Sequence, residues 1–287
     1  MSLATLPTPP RADPCVPRPL IREASFAELG TEACVWQCIQ DTAAEVAARE
    51  PLLRQRLEEA VLVPATPAAI VAAVLATRLA FRDLGEPALR ALIRGVLAEH
   101  PAILFSVAAD LAAIGVRDPA CPNALHALLN LKGFHALQTH RIAHALWKAG
   151  RRELAGALSS QASLAFNVDI HPAATIGSAV MFDHGSGIVV GETAVIEDKV
   201  SILQGVTLGG TGKDHGDRHP KIRTGVMIGA GAKIIGNIEV GAMSKVAAGS
   251  VVLKSVPPRC TVAGIPARIM RVYQTTSVPC LEMDQTL

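Results

Sequence analysis

The chain of 287 residues carries 27 basic and 25 acidic side chains, and half of its residues are hydrophobic although only 3% are aromatic. A net charge of +2 excludes a general attraction to nucleic acid or to an anionic membrane surface. No apolar run reaches the ~20 residues that span a bilayer, and the scattered cysteines, without a CxxC pair, indicate a reducing, cytoplasmic compartment.

Residues 1–20 predict a disordered tail, because they are rich in proline and lack the apolar stretch of a secretory signal. An organelle transit segment is the alternative that their arginines leave open. Residues 21–166 then show helical spacing. In "CVWQCIQDTAAEVAAREPLLRQRLEEAVL" large aliphatic side chains recur every three or four positions, and prolines interrupt the pattern. Several alanine-rich helices with short connections predict an α-helical bundle.

One histidine pair in this helical region has the spacing of a zinc motif. The segment "HRIAH" places His140 and His144 four residues apart on a helix. Metalloprotease chemistry needs a glutamate directly after the first histidine, where this chain has Arg141. The two histidines are therefore predicted to lie on the helix surface or to pack against neighbouring residues, and no zinc site is expected.

Beyond Asp169 the repeat changes to six residues and predicts a parallel β-helix over residues 167–265. A six-residue step makes one flat face and one corner, with the aliphatic side chain inside and a small residue at the turn. Three faces close a coil of roughly 18 residues, which leaves residues 266–287 as a C-terminal tail. The repeating positions are Ile170, Ile176, Phe182, Val190, Ile196, Ile202, Leu208, Ile222, Ile228, Ile234, Val240, Val246 and Val252.

Two interruptions of this repeat carry polar residues. The first is a shift of two positions between Phe182 and Val190, within "MFDHGSGIVVGE". The second is the excursion "GGTGKDHGDRHPK" at residues 209–221, which does not satisfy the phosphate-binding pattern GxxxxGK[ST]. Insertions in a solenoid lie on its surface and often form binding sites, so we expect functional residues at these breaks.

His184, in the first interruption, is the candidate general base. A carboxylate bonded to one imidazole nitrogen fixes the tautomer and stabilises the imidazolium that forms when the other nitrogen takes a proton. Asp183 adjoins His184, and Asp169 lies nearly one coil earlier. The spacing leaves open which aspartate is the partner, and His171 is an alternative base.

Donors for anionic groups lie in the second interruption and at the end of the repeat. Arg218 and His219 are adjacent donors suited to a carboxylate. Arg268, in "AGIPARIM", is placed to contact a ligand phosphate. Alternatively, Arg218 and His219 are solvated residues of a surface loop, and Arg268 belongs to a simple cap at the end of the solenoid.

Several long segments of the chain resemble the serine O-acetyltransferase family of hexapeptide-repeat acyltransferases. They are "VDIHPAATIGSAVMFDHGSGIVVGETAVI", "GGTGKDHGDRHPKI" and, before them, "RDPACPNALHALLNLKGFHALQTHRIAHALWKAGRR". The resemblance implies an α+β fold, with an N-terminal α-helical bundle followed by a left-handed parallel β-helix. The left-handed winding of the β-helix follows from the resemblance alone, because connections between parallel strands are ordinarily right-handed.

The activity that the resemblance implies is acetyl transfer from acetyl-CoA, as co-substrate, to the hydroxyl of L-serine. The product would be O-acetyl-L-serine for L-cysteine biosynthesis, with no metal and no permanently bound cofactor. By this likeness His184 is the general base and Asp169 orients it. The implied substrate contacts are Asp118 and Asp183 for the ammonium, Arg218 and His219 for the carboxylate, and Glu192 near the reaction centre. The implied coenzyme contacts are Gly210, Thr211, Ala230, Lys245 and Arg268.

Partners follow from the same likeness. L-Cysteine is expected as a feedback inhibitor because it resembles serine at the same contacts, and a homo-oligomer, a hexamer built as a dimer of trimers, is expected. Family members often end in a longer tail whose last isoleucine inserts into O-acetylserine sulfhydrylase. This chain ends at Leu287 after a short tail, so a complex with that enzyme is left open.

Three other functions compete with serine acetylation. An acyltransferase for another small hydroxylated acceptor, such as homoserine or a sugar, would differ in its substrate preference. A γ-carbonic-anhydrase-like lyase would need three stacked histidine ligands, and His171 and His184 have no third partner at the repeat spacing. A catalytically silent scaffold would show no turnover.

Overall fold

The computed structural model describes residues 31–81, 84–213, 215–273, 278–284 and 286. The predicted N-terminal tail, residues 1–20, and the terminal Leu287 lie outside the described residues. Helices come first along the chain and short strands follow. The helices are α1 (Thr31–Arg49), α2 (Pro51–Leu57), which continues as a π-helical turn (Glu58–Leu62), α3 (Pro67–Leu79), α4 (Glu86–Glu99), α5 (Ala102–Arg117), α6 (Ala124–Asn130), α7 (Lys132–Lys148) and α8 (Arg152–Phe166).

Local sequence explains where several helices begin and end. The side chain of Thr66 accepts a hydrogen bond from the backbone N–H of Ala69 and caps α3, and Asn123 caps α6 in the same way through His126. Asn167 ends α8 in the left-handed conformation, with φ +56°. Helix α3 is buried on almost all sides, as expected for a helix of Ala, Val, Ile and Leu.

The strands after α8 form three sheets, parallel except for the terminal pair β14–β15, that make the faces of a β-helix, so the predicted helical bundle followed by a parallel β-helix is confirmed. The first face has the order β1-β4-β7-β10-β13, the second β2-β5-β8-β11 and the third β3-β6-β9-β12-β14-β15. The strands are β1 (Val168–Ile170), β2 (Thr175–Ile176), β3 (Met181–Phe182), β4 (Ile188–Val190), β5 (Val195–Ile196), β6 (Ser201–Ile202), β7 (Thr207–Gly209), β8 (Lys221–Ile222), β9 (Met227–Ile228), β10 (Lys233–Ile235), β11 (Glu239–Val240), β12 (Lys245–Val246), β13 (Val251–Val252), β14 (Cys260–Gly264) and β15 (Ala267–Val272).

The hexapeptide period is visible in the register of the first face. Val189 pairs with Thr207, eighteen residues later, which is one regular coil. Thr207 pairs with Lys233, twenty-six residues later, so the excursion at residues 209–221 adds eight residues to its coil. Val168 pairs with Ile188, twenty residues later, so the first coil is two residues too long. Both interruptions read from the sequence are therefore lengthened coils.

The helical region is fastened to the first coil of the β-helix by a buried ion pair. Arg141 of α7 donates to Asp110 of α5 at 2.7 Å and to the carbonyl oxygen of Gly177 at 2.7 Å. The other oxygen of Asp110 accepts from the N–H of Val180 at 2.9 Å. Burial raises the pKa of Asp110, and the Arg141 charge opposes this rise. Because every polar group in this cluster has a partner in the β-helix or in a helix, the pair fixes how the two parts meet.

The segment predicted as a C-terminal tail contains further structure. Strand β15 pairs antiparallel with β14, and a short helix, α9 (Pro279–Glu282), follows. Cys280 of α9 is fully buried, and its carbonyl oxygen accepts from the Ser201 hydroxyl at 3.2 Å. Across the described ranges no single helix has the length and apolarity to span a membrane, whereas α4 and α5 together meet that length and composition test as a bent pair.

Candidate active site

The first lengthened coil places His184 on an unusual corner between β3 and β4. A regular corner at this edge has one left-handed residue, such as Gly205 with φ +70°. The lengthened corner has three: His184 (φ +57°), Gly185 (φ +76°) and Gly187 (φ +73°). A left-handed backbone at a non-glycine residue costs about 1–3 kcal/mol and is concentrated at functional sites. The side chain of His184 is 73% exposed.

The N-terminus of α7 supports this corner. A β-carbon on Gly133 would overlap the carbonyl oxygen of Phe182, and one on Gly185 would lie 2.9 Å from the Gly133 Cα. The Lys132 ammonium contacts the Ser186 hydroxyl. The corner and the helix therefore approach each other so closely that only glycines fit between them. Sequence reasoning missed this support, although "LKGF" and "DHGSG" contain its glycines.

Three titratable residues form what we call the corner cluster: Asp118, Asp183 and His184. Asp183 Oδ1 lies 3.9 Å from His184 Nε2. Asp118 ends α5, and its Oδ1 accepts from the Ala120 N–H at 2.8 Å. Burial raises the pKa of Asp183, His184 opposes that shift, and the Asp118 carboxylate adds to it. The Asp118 carboxylate therefore disfavours the ionised form of Asp183, and a cation bound between the two carboxylates would relieve this effect.

Asp169, the partner of His184 that the resemblance implies, lies elsewhere on the first face. It is the middle residue of β1, exposed on the outer surface, and pairs in register with Val189 of the next coil. Within the described ranges no hydrogen bond or ion pair joins Asp169 to His184. In a single chain the carboxylate next to the His184 ring is that of Asp183.

The second lengthened coil brings together a loop cluster, which we define as Glu192, Thr193, Arg218, His219 and Lys221. Arg218 Nη2 donates to Glu192 Oε2 at 2.6 Å, and this bond is the main reason that the pKa of Glu192 is lowered. The Lys221 ammonium donates to the carbonyl oxygens of Thr193 at 3.0 Å and His219 at 2.7 Å. Both Arg218 and His219 of the excursion are thus bonded to residues at the corner after β4.

His219 is a buried, neutral member of this cluster. Its Nδ1 lies 2.9 Å from the Thr193 hydroxyl and 3.2 Å from the Thr193 backbone N. A β-carbon on Gly191 would overlap the ring edge that carries Cδ2 and Nε2, so only glycine fits at residue 191. Burial lowers the pKa of His219, and the neighbouring Arg218 charge lowers it further.

His171, the alternative base, lies near the loop cluster rather than beside His184. Its Nδ1 accepts from the Ala173 N–H at 3.1 Å, and its ring meets Trp147 edge-on at a centroid distance of 5.2 Å. Burial lowers the pKa of His171, the Arg218 charge lowers it further, and the charges of Glu192 and Asp169 oppose this shift. The geometry of one chain therefore separates the two candidate bases.

The corner cluster and the loop cluster lie at opposite ends of β4. The three residues of β4 span about 10 Å, with Asp183 and His184 before the strand and Glu192 after it. Within the part of the chain that the structure describes, no hydrogen bond or ion pair connects the two clusters. A single chain thus presents two separate polar clusters on one face.

The five residues implied for the coenzyme are spread over the β-helix. Gly210 packs beside Arg218 at the start of the excursion, next to the exposed Thr211, whereas Ala230 lies at the corner between β9 and β10. Arg268 is exposed on β15. Lys245 is 4% exposed, and its ammonium contacts the Thr286 carbonyl oxygen and lies 3.9 Å from Asp284. One chain does not bring these residues into a single pocket.

Among the described residues no group of three or more His, Cys, Asp or Glu side chains is arranged to hold a metal ion. His140 is buried, its pKa is lowered to about 3 chiefly by that burial, and its ring lies 5.7 Å from that of His144. His144 Nδ1 lies 2.8 Å from the Pro172 carbonyl oxygen. Both histidines thus pack at the junction between α7 and the β-helix.

A helical region joined to a parallel β-helix, with polar clusters at its two lengthened coils, defines a hexapeptide-repeat acyltransferase. Residues 35–139 match the family model described as serine acetyltransferase, N-terminal. The chain is 52% identical over 251 residues to the serine acetyltransferase of Salmonella typhimurium, an alignment that covers 88% of this chain and 92% of the relative. The chain belongs to the serine acetyltransferase family.

Solved structures agree with this assignment. A Brucella abortus serine acetyltransferase in complex with coenzyme A is 50% identical, with a TM-score of 0.83 over 84% of this chain and 97% of that one. A soybean serine acetyltransferase complexed with serine is 49% identical, with a TM-score of 0.82 over 83% and 98%. A serine acetyltransferase in complex with cysteine is 49% identical, with a TM-score of 0.88 over 90% and 100%.

Proposed function

We propose that this enzyme transfers the acetyl group of acetyl-CoA to the hydroxyl of L-serine, giving O-acetyl-L-serine for L-cysteine biosynthesis, with His184 as general base. The observation that carries the proposal is the corner cluster: an exposed imidazole on a left-handed corner beside the Asp183 carboxylate, which Asp118 influences in turn. Relatives at about half identity that bind serine and coenzyme A support the substrate pair.

The reaction needs only proton transfer and positioning. His184 takes the proton of the serine hydroxyl as its oxygen attacks the thioester carbonyl carbon. The tetrahedral intermediate collapses, the carbon–sulfur bond breaks, and the imidazolium returns the proton to the coenzyme A sulfur. A thioester is already activated, so one base contributing about 10²–10⁴ in rate, together with alignment, suffices. Asp169 is proposed to orient the imidazole when the ring turns toward the outer surface of the first face.

Both clusters match the two charges of an amino acid. The serine ammonium would relieve the repulsion between Asp118 and Asp183, because it places a cation between two partly buried carboxylates. The carboxylate would bind Arg218, which keeps free N–H donors beyond its bond to Glu192. Glu192 then holds the guanidinium in place near the reaction centre.

The distance between the clusters supports a site shared between protomers. The two clusters are separated by the length of β4. One free amino acid is too short to contact both clusters of the same chain across the solenoid face. A homo-oligomer of parallel columns would set the corner cluster of one protomer against the loop cluster of its neighbour. We therefore propose that trimers, paired into a hexamer, complete the site, with coenzyme contacts from Gly210, Thr211, Ala230, Lys245 and Arg268 on both sides of the same cleft.

L-Cysteine is proposed as a feedback inhibitor of this site. It carries the same ammonium and carboxylate as L-serine and differs only in its thiol, so both clusters would bind it. A relative in complex with cysteine supports this proposal. The complex with O-acetylserine sulfhydrylase stays a prediction because Leu287, which would enter that partner, lies outside the described residues, and the cytoplasmic location stays a prediction as well.

A coupled assay of free-thiol release tests the proposed function. The purified enzyme is mixed with acetyl-CoA alone and then with L-serine, D-serine, L-homoserine or a sugar acceptor, and kcat/KM is compared. We expect release that depends on L-serine, with L-serine ranking first. A higher kcat/KM for L-homoserine or a sugar would reassign the acceptor, and no acceptor-dependent release would indicate a silent scaffold.

A further inference from the structure

The hydroxyl of Thr193 has a fixed set of hydrogen-bond partners. Its oxygen accepts from the backbone N–H of Arg218 at 2.9 Å and from that of His219 at 3.0 Å. These two bonds use both of its lone pairs, so the remaining function of the hydroxyl is to donate its single proton. The acceptors within reach are Nδ1 of His219, at 2.9 Å, and the carboxylate of Asp217.

A second donor confirms the direction of this bond. The backbone N–H of Thr193 points at the same His219 Nδ1 at 3.2 Å. An N–H can only donate, so Nδ1 must be the acceptor nitrogen and carry no proton. The proton of the neutral ring therefore sits on Nε2, on the ring edge that lies against Gly191 and near Gly210.

We infer that Thr193 is a positioning residue of the substrate site, because it forces His219 into the Nε2–H tautomer. This inference rests on the proposed function, in which His219 binds the serine carboxylate. In the Nε2–H tautomer the ring offers a donor to that carboxylate. In the other tautomer it would present a lone pair to an anion and repel it.

Thr193 also holds the backbone of the loop, in addition to setting which nitrogen of His219 carries the proton. Its oxygen holds the backbone of Arg218 and His219, while Lys221 holds the carbonyl oxygens of Thr193 and His219. A purely structural role would loosen the loop on removal of the hydroxyl but leave the hydrogen bonding of His219 Nδ1 unchanged. The Asp217 carboxylate, which the Lys221 ammonium binds at 2.6 Å, is a second acceptor for the hydroxyl. The protonation and hydrogen bonding of Nδ1 are thus the quantities to measure.

The test compares Thr193→Val, which keeps the shape and removes the hydroxyl, with Thr193→Ser, which restores the hydroxyl. Thr175→Val is the matched control, because Thr175 is exposed on the outer surface of β2. Each full-length enzyme is labelled with ¹³C,¹⁵N-histidine, and magic-angle-spinning spectra identify the protonated nitrogen. A His219→Asn sample assigns the signal among the nine histidines of the chain.

For Thr193→Val we expect Nε2 of His219 to stay protonated, because the backbone N–H of residue 193 still donates to Nδ1, but the ¹⁵N signal of Nδ1 should shift because one of its two donors is lost. We also expect a KM for L-serine raised at least about tenfold, with the KM for acetyl-CoA little changed. Thr193→Ser and Thr175→Val should keep the wild-type Nδ1 signal and KM. A proton on Nδ1 in the wild-type enzyme, or a Thr193→Val enzyme whose Nδ1 signal and KM for L-serine match the wild type, would overturn the inference. The spectra are recorded without substrate, so they do not depend on the proposed function. If the wild-type enzyme showed no L-serine-dependent thiol release, the proposed function would be rejected but the tautomer result would still hold.

Discussion

His184 is exposed because two additional residues lengthen its corner. The sequence shows the insertion directly, since the repeat slips by two positions between Phe182 and Val190. It could not show that the insertion adopts three left-handed conformations, or that Asp183 rather than Asp169 lies beside the ring in one chain. Side-chain direction at a corner depends on backbone angles, which a hexapeptide count does not contain.

At this residue we expect His184→Ala to lower kcat by about 10² or more while the fold and assembly persist. The reason is that the exposed ring makes few packing contacts, so its loss removes a base and little else. The loss of kcat is measured in a stopped assay. Size-exclusion elution and the thermal midpoint serve as controls for assembly and folding. Turnover within a few fold of wild type would reject the base assignment.

Arg218 provides the second residue-scale prediction. We expect Arg218→Ala to raise the KM for L-serine by at least about tenfold, because a charge-assisted carboxylate bond is lost. The KM for acetyl-CoA should change little. Initial rates with each substrate varied in turn distinguish the two. The reverse pattern, with acetyl-CoA weakened and L-serine unaffected, would place Arg218 at the coenzyme instead.

Among the elements, α7 does more than its sequence pattern indicates. Its apolar spacing predicts a helix, and the structure has one over Lys132–Lys148. Nothing in that spacing reveals that its first turn packs on the His184 corner through Gly133, or that Arg141 reaches Gly177. Contacts between a helix and a distant coil depend on tertiary docking, which local periodicity does not encode. Thr193, Lys221 and Gly191 went unnoticed in the sequence for the same reason.

Gly133→Ala tests the support of the corner. Replacing glycine by alanine in a helix usually stabilises a protein by up to about 1 kcal/mol, but here the added methyl would overlap the Phe182 carbonyl oxygen. We expect a lower thermal midpoint and a kcat reduced by about 10-fold to 100-fold, since the base is displaced. Both quantities are measured on the same preparation.

Gly156→Ala, in α8, is the matched control for this substitution. A β-carbon at Gly156 meets no atom within 4 Å, so the change should leave kcat unaltered and hold or raise the thermal midpoint. Equal kcat values and equal thermal midpoints for Gly133→Ala and Gly156→Ala would show that α7 does not position the His184 corner.

For the molecule as a whole, the order of a helical region and a β-helix was predictable from the sequence. The change of period from about 3.6 to six residues marks the transition, and α8 ends at Phe166 directly before β1. The arrangement of the clusters was not predictable, because linear spacing places Asp183, His184 and Glu192 within ten residues of each other. Folding puts β4 between them, and the proposal of a site shared between protomers rests on that separation.

Complementation between inactive protomers tests this shared site most directly. His184→Ala removes one cluster and Arg218→Ala weakens the other, so each variant alone should be nearly inactive at low L-serine. Co-expressed in equal amounts, they would form assemblies in which a site pairs the intact corner of one protomer with the intact loop of its neighbour. Random pairing predicts recovery of about a quarter of wild-type kcat/KM for L-serine. Activity no higher than the average of the two separate variants would contradict the account.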